Sequence, residues 1–177
     1  MYQVISNEKI NSIKLENARK IILDLQSQMQ YYISKGHGPF LAAIYDEHFN
    51  LIAKAPNSVL RENCSNNHAE MNTIKLAEEK LGTNDLAPYN LSIYVTAEPC
   101  IMCLGAIMWS GIRSVYYGVP SSTVEKITGF DEGFKPNWLE EFKKRGITVY
   151  GNIEPIEGEK QLALYVENGN KVYKPSR

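Results

Sequence analysis

Leu91-Ser92-Ile93-Tyr94-Val95-Thr96-Ala97-Glu98-Pro99-Cys100-Ile101-Met102-Cys103-Leu104-Gly105-Ala106-Ile107-Met108-Trp109-Ser110-Gly111 is the stretch from which the fold follows. Its first six residues are rich in β-branched and aromatic side chains and predict a strand over 91–96. Glu98-Pro99 breaks that strand. From Cys100 to Ser110 nearly every position is apolar, with no two-residue alternation, so the spacing predicts a buried helix that Gly111 closes. Arg113 to Gly118 reads as the next strand. A strand, a crossover helix and another strand are the unit of an α/β sheet.

The same pattern extends outward in both directions. From Glu8 to Lys35 apolar residues recur at Ile10, Ile13, Ala18, Ile21, Ile22, Leu25, Met29 and Ile33, which is helical spacing. Gly36 and Gly38-Pro39 end it. Phe40 to Tyr45 and Leu51 to Ala55 read as a hairpin around the turn at 46–50. Residues 56–67 are polar and loop-like. His68 to Lys80 has helical character up to Gly82. Beyond Gly118, two short helices, near Thr123 and from Trp138 to Lys144, flank a loop holding Gly129 to Gly133. Ile147 to Tyr150 is a last strand, and a helix from Glu157 to Val166 precedes a polar tail. The expectation is one domain over 1–177. Its core is about 40–150, its N-terminal helix 8–35, and its C-terminal helix and tail 157–177. The fold class is α/β, a three-layer α/β/α sandwich with a mixed five-stranded sheet.

Composition narrows the function. Hydrophobic residues make up 44% and charged residues 22%, as in an ordinary globular chain. With 19 basic and 20 acidic residues the net charge is −1, which counts against a nucleic-acid binder but leaves a local basic patch open. Three cysteines, two of them in one C-x-x-C unit, are not the framework of a small disulfide-stapled protein. The N-terminal run lacks the apolar core and small-residue cleavage site of a signal peptide. No apolar stretch reaches about 18 residues, so no membrane span is expected. A cytoplasmic location is the default expectation.

Two motifs carry the chemistry, His68-Ala69-Glu70 and Pro99-Cys100-Ile101-Met102-Cys103, and each opens a predicted helix. Cysteines three apart on a helix face the same way, so both sulfurs can reach one ion. A helix N-terminus favours the thiolate over the thiol. His68, Cys100 and Cys103 are three ligands of the types that zinc takes in a tetrahedron, and they leave a fourth position for water. Water held there is acidified, so hydroxide becomes available near neutral pH. Glu70, two residues from His68, projects from another side of the helix and suits a proton shuttle rather than a ligand. The backbone N–H of Ala69 is placed to face a substrate carbonyl.

Other readings stay open. A C-x-x-C pair alone also fits a thioredoxin-like redox site, but Ile101-Met102 between the sulfurs is apolar and the pair follows Glu98-Pro99. A closed structural site would need a fourth ligand, for which Cys64 is the one candidate. His37 and His48 fall at turns and read as solvent-facing.

The H-x-E…P-C-x-x-C pattern is the signature of zinc-dependent nucleobase deaminases. The chain resembles the cytidine and deoxycytidylate deaminase superfamily from about Phe40 to Tyr150. Within it, the runs HAEMNTI (68–74), EPCIMCLGAIMWSG (98–111) and above all TGFDEG (128–133) look like the guanine deaminase branch. The resemblance implies an α/β/α sandwich with a helix on each face supplying the metal ligands. It implies one zinc ion per subunit and a homodimer. Asn57, 11 residues before His68, would hydrogen-bond the purine. Phe40 and Trp109 would line the base pocket. Glu132 would contact the purine and help move protons to the leaving ammonia, with Asp131 its alternative should the register differ by one. Each has a plainer reading: Phe40 and Trp109 as core aromatics, Asn57 as a turn or cap residue, Glu132 as a solvated loop acid. Some members of the family close the pocket with an aromatic residue from the C-terminal tail, and here Tyr165 or Tyr173 is the candidate.

The expected activity is hydrolytic deamination of a small nucleobase, guanine to xanthine plus ammonia. Cytosine, an amino-triazine or guanosine would use the same chemistry on another ring. Deamination of adenosine in tRNA would call for a basic surface that the charge balance does not offer. A zinc-stabilised binding module would have no use for Glu70 beside its water.

Overall fold

A computed structural model of the chain describes residues 3–4 and 12–174. In chain order its elements are β1 (Gln3–Val4), α1 (Ser12–Ser34), β2 (Leu41–Tyr45), β3 (Leu51–Pro56), α2 (Val59–Glu62), α3 (Ala69–Leu81), β4 (Ser92–Ala97), α4 (Ile101–Ser110), β5 (Ser114–Val119), α5 (Ser121–Thr128), α6 (Trp138–Lys144), β6 (Thr148–Gly151) and α7 (Pro155–Glu167). The expected helix residues 8–11 and the last three residues of the tail, 175–177, lie outside the described residues.

The strands lie in the order β1-β6-β5-β4-β2-β3. β4 runs parallel to β5 and β5 to β6, whereas β2 is antiparallel to both β3 and β4. This is the expected mixed sheet, with one strand more than the five read from sequence. The addition is β1, which pairs antiparallel with β6. Two residues have no periodicity to read, so nothing in the pattern announces them.

Period-two alternation sends successive strand residues to opposite faces and builds two cores. On one face, Ala42 and Ile44, Ile93 and Val95, and Val115 meet Ala69, Ile74 and Ala77 of α3, Leu104 and Ile107 of α4, and Trp138 and Phe142 of α6. On the other, Leu41, Ala43, Tyr94 and Tyr116 meet Ala18, Ile22, Leu25 and Met29 of α1, Val124 of α5 and Leu162 of α7. Three layers result. One detail of the expectation is corrected: α3 and α4, which open at the candidate ligands, pack together on the same face rather than one on each. The reason lies in the strand order. β4 sits beside β2, so the helix following the β2–β3 hairpin and the helix following β4 become neighbours.

The loop expected over 56–67 contains the short helix α2. Its start is set by the Asn57 side chain, whose Oδ1 accepts the Val59 N–H at 3.2 Å. One close approach explains a strand glycine. A Cβ on Gly118 would lie 2.5 Å from the Thr96 carbonyl oxygen and 2.9 Å from Nε2 of the buried Gln26, so β5 and α1 meet where only glycine fits. No helix among the described residues is long and apolar enough to cross a membrane.

Candidate active site

β4 ends at Ala97, and the chain turns at Glu98-Pro99 into α4. The turn lies at the carboxyl ends of the parallel strands, beside the point where β2 reverses direction. Open α/β sheets place their sites in such crevices. Cys100 is the N-cap residue of α4 and His68 the N-cap residue of α3, and neither side chain makes a capping hydrogen bond. Both are therefore available for another partner. Cys103, one turn into α4, is fully buried.

The three donor atoms form a compact triangle. Cys100 Sγ lies 3.5 Å from His68 Nδ1, Cys103 Sγ lies 3.6 Å from the same nitrogen, and the sulfurs are 3.6 Å apart. Zinc–sulfur bonds of about 2.3 Å and zinc–nitrogen bonds of about 2.0–2.1 Å at tetrahedral angles would separate the donors by about 3.6–3.8 Å. The residues present fit that ion. Cys64, half-buried in the loop before α3, is not part of the group.

The group has the electrostatics of a site made for a cation. The Cys100 thiol is drawn down to about 4, first by the hydrogen bond from the Cys103 thiol and then by His68 against the cost of burial. Cys103 moves the opposite way, chiefly because it donates to Cys100. Burial pushes the His68 imidazole down, but the Cys100 thiolate and Glu70 outweigh it and the net direction is up. A metal ion bound here would have to displace the protons that the cluster shares.

A cleft opens beside the triangle. His68, Cys100, Glu70, Glu132, Asn57 and Phe40 all line it, so the structure gathers six of the sequence-predicted site residues around one space. Glu70 is buried at the start of α3, and burial, then the neighbouring Cys100 thiolate, raises its carboxyl above the usual range. Glu132 comes from the segment between α5 and α6 and is 6% exposed. Burial raises it to about 8; Lys135 opposes, while Cys100 and Glu70 add to the rise. The Oδ1 of Asn57 is taken by the Val59 N–H, which leaves its Nδ2 as the group that can donate into the cleft. Phe40 forms a wall with Phe130, ring centroids 6.4 Å apart.

Other expected residues lie elsewhere. Trp109 is 82% exposed and does not line the cleft, a correction to its expected place. α4 buries positions 103, 104, 107 and 110, and a residue two beyond 107 points away from that face. Asp131 is exposed, and its Oδ1 accepts the Gly133 N–H at 2.9 Å, so of the two neighbouring acids only Glu132 faces inward. Ala69 is fully buried in the core between His68 and Glu70 and does not line the cleft. His37 is half-buried rather than solvent-facing; its ring lies 3.3 Å from the Asn57 carbonyl and 3.1 Å from Arg61. His48 is exposed, as its turn suggested.

The tail supplies what sequence reading left open. Both Tyr165 and Tyr173 line the cleft, together with Lys171 and Val172. The Tyr165 hydroxyl donates to the Lys171 carbonyl at 2.6 Å and ties the tail to the cleft wall. Two further residues escaped notice. Glu98 lines the cleft and Lys135 pairs with it at 3.0 Å. Glu98 read only as a strand breaker. Its place two residues before a ligand was the signal available.

The chain belongs to the family described as the cytidine and deoxycytidylate deaminase zinc-binding region, whose model matches residues 15–119. A guanine deaminase of Bacillus subtilis (strain 168) is 36% identical over 97 residues, covering 55% of this chain and 60% of that protein. A tRNA-specific adenosine deaminase of Rickettsia bellii (strain RML369-C) is 35% identical over 96 residues, covering 54% and 65%. The chain thus spans about three-fifths of the length of these curated relatives. Among solved structures, a guanine deaminase from Nitrosomonas europaea superposes with a TM-score of 0.80 at 32% identity, over 89% of this chain and 93% of that one.

Removing a metal from this triangle has a calculable consequence. Zinc at 100 times its dissociation constant would add about 2.7 kcal/mol of stability. At about 2–4 °C per kcal/mol for a chain of this size, a chelator is expected to lower Tm by roughly 5–11 °C. Cys103→Ala is expected to melt lower than the parent and to show no response to the chelator. A parent melting curve that ignores the chelator would exclude a metal from the site.

Proposed function

We propose that the protein hydrolyses the amino group from a purine base, guanine plus water giving xanthine plus ammonia, with one zinc ion held by His68, Cys100 and Cys103. The observation that carries this reading is the pair of buried acids, Glu70 and Glu132, brought to one cleft from different parts of the chain. Deamination at a ring carbon needs two proton movements: one proton leaves the attacking water, and protons must reach the ring nitrogen and the departing amine. Acids raised toward neutrality by burial suit both tasks. A zinc ion bound to the three donors supplies the Lewis acidity that acidifies water near neutral pH.

The residues divide the remaining work. Glu70, at the first turn of α3 beside the ligands, takes the proton of the attacking water and delivers it to the ring nitrogen. Glu132 faces the cleft from the segment between α5 and α6, hydrogen-bonds the purine edge, and hands a proton to the leaving nitrogen. Asn57 Nδ2 donates to an acceptor on the ring. Phe40 gives the flat face of the base an apolar wall. Tyr165 and Tyr173 close the mouth and exclude bulk water.

The tRNA-specific relatives raise the alternative of a polynucleotide substrate. The tail argues against it: residues 171–173 line the cleft and take up part of the wall along which a strand of nucleic acid would have to enter. The uncovered side of α4 supports a second copy of this chain as partner. Trp109 and Ile101 are exposed on an otherwise apolar helix, which is the composition of a surface that associates.

Three measurements test these statements. Ammonia release by zinc-loaded protein is expected with guanine and much less with guanosine, cytosine, cytidine, adenine or an amino-triazine; release from another compound with silence on guanine would overturn the substrate. Glu70→Ala should retain stoichiometric zinc and lose turnover, and Glu132→Gln should lower turnover by at least about tenfold, the low side of what proton transfer contributes. Loss of zinc from the first variant would make Glu70 a ligand, and full turnover by the second would return Glu132 to a structural role. Trp109→Glu should shift the sedimenting species from dimer to monomer, and a monomeric parent would refute the pairing.

A further inference from the structure

Lys135 stands in the segment 129–137, three residues after Glu132. Its Nζ lies 3.0 Å from Glu98 Oε1 and 3.6 Å from Glu132 Oε2, and it also donates to Ser121 Oγ. An ammonium has three donors, and here three acceptors from three segments surround it. Glu98 belongs to the turn that leads into the ligand Cys100, Ser121 begins α5, and Glu132 faces the cleft. The Lys135 side chain is only 13% exposed, so this is a partly desolvated network rather than a surface pair of little consequence.

The rest of the network is built around it. Glu98 Oε2 accepts the Ser121 N–H at 3.0 Å, and the Ser121 hydroxyl lies 3.5 Å from Glu132 Oε2. The segment has other ties: the Glu132 N–H donates to Glu125 Oε1 at 3.2 Å, and Phe130 packs against Phe40. Those ties hold the backbone. Among the described residues, Lys135 is the cation paired with the Glu132 carboxylate. Without it, the carboxyl groups of Glu98 and Glu132 would share a buried space with no opposite charge between them, an arrangement that costs enough to move one of them.

We propose that Lys135 is a positioning residue that holds Glu132 in the cleft, clamping the 129–137 segment to the turn before Cys100 through Glu98 and to the start of α5 through Ser121. The proposal rests on the reading of Glu132 as the second acid. It acts through Glu132 and does not touch substrate. Lysine suits the place because a compact ammonium can meet acceptors converging from three directions, whereas the planar fork of arginine is made for paired acceptors in one plane.

Lys135→Met keeps an unbranched side chain only one atom shorter and removes the charge. Three readouts on the zinc-loaded protein decide the matter. Zinc should stay stoichiometric, and amide hydrogen exchange over 130–137 should quicken while β4 exchanges as in the parent. Turnover of guanine should fall by about tenfold or more, as it does when a proton-transfer group is lost. In a Glu132→Gln background the same substitution should then change turnover by less than about twofold, because residues acting through one group are not additive. Unchanged exchange over 130–137, loss of zinc, or an equal cost in both backgrounds would each overturn the proposal. If Lys135→Met does not fold, Lys135→Gln, which keeps a polar tip without charge, is held to the same criteria. If the parent does not deaminate guanine, the substrate reading fails, while the exchange of 130–137 still decides whether Lys135 clamps the segment.

Discussion

Everything at the site depends on two helix N-termini meeting at one point. α3 and α4 begin at His68 and Cys100, separated by 32 residues in sequence, and their first donors come within 3.5 Å. Two thiols and an imidazole buried this closely are poorly served by any partner except a cation. The positive ends of both helices favour the thiolate form, and a metal ion held here would take the charge that the helices alone cannot neutralise. The sheet order makes the meeting possible, because the antiparallel β2 and the parallel β4 are neighbours and the helices that follow the hairpin and β4 pack side by side. Were α3 on the opposite face, its N-cap histidine would lie across the sheet from both sulfurs.

The cleft grows out of the same constraint. A helix start at the carboxyl end of a parallel strand leaves a crevice, and in this chain its walls come from loops with no part in the sheet. Asn57 both starts α2 through its side-chain oxygen and lines the cleft. The segment after α5 turns sharply at Gly129, with φ of 65°, and turns Glu132 inward while Asp131 stays out. The tail folds back through the bond from the Tyr165 hydroxyl to the Lys171 carbonyl. A metal site common to a family thus acquires its particular shape from segments outside the motif-bearing helices.

How much of this was legible follows from how far each signal reaches along the chain. The elements of the core announce themselves by periodicity, since a face buried against a sheet must be apolar at fixed intervals. Trp138–Lys144 and the Ser92–Ala97 strand fall within a residue of where the pattern puts them. The ligands were legible because H-A-E and P-C-x-x-C are local spacings set by helix geometry. β1 was not, because two residues have no period. Trp109 was misplaced because its pocket position was carried over from the resemblance, and an apolar helix without a strong polar side offers no check on which flank a residue takes. The same helix has its buried positions at 103, 104, 107 and 110, which only packing reveals. Lys135 and Glu98 were illegible for another reason: their meaning is a contact across 37 positions, and either one alone reads as an ordinary charge.

The placement of charge in the cleft then has a physical logic. Glu70 and Glu132 are both raised first by burial and also by the Cys100 thiolate, and Glu70 adds to the rise of Glu132. A site with two such acids and two thiols would be overloaded with negative charge if all were ionised. Two cations would divide the load: a metal ion held by His68, Cys100 and Cys103 would answer the thiols, and Lys135 pairs with Glu98 and Glu132. Glu132 lines the same cleft as the ligands His68 and Cys100 and is paired with Lys135. A carboxyl so placed can give up its proton without leaving an uncompensated buried charge and can regain it without losing its anchor. That is the property the proposed role of Glu132 at the leaving nitrogen would require.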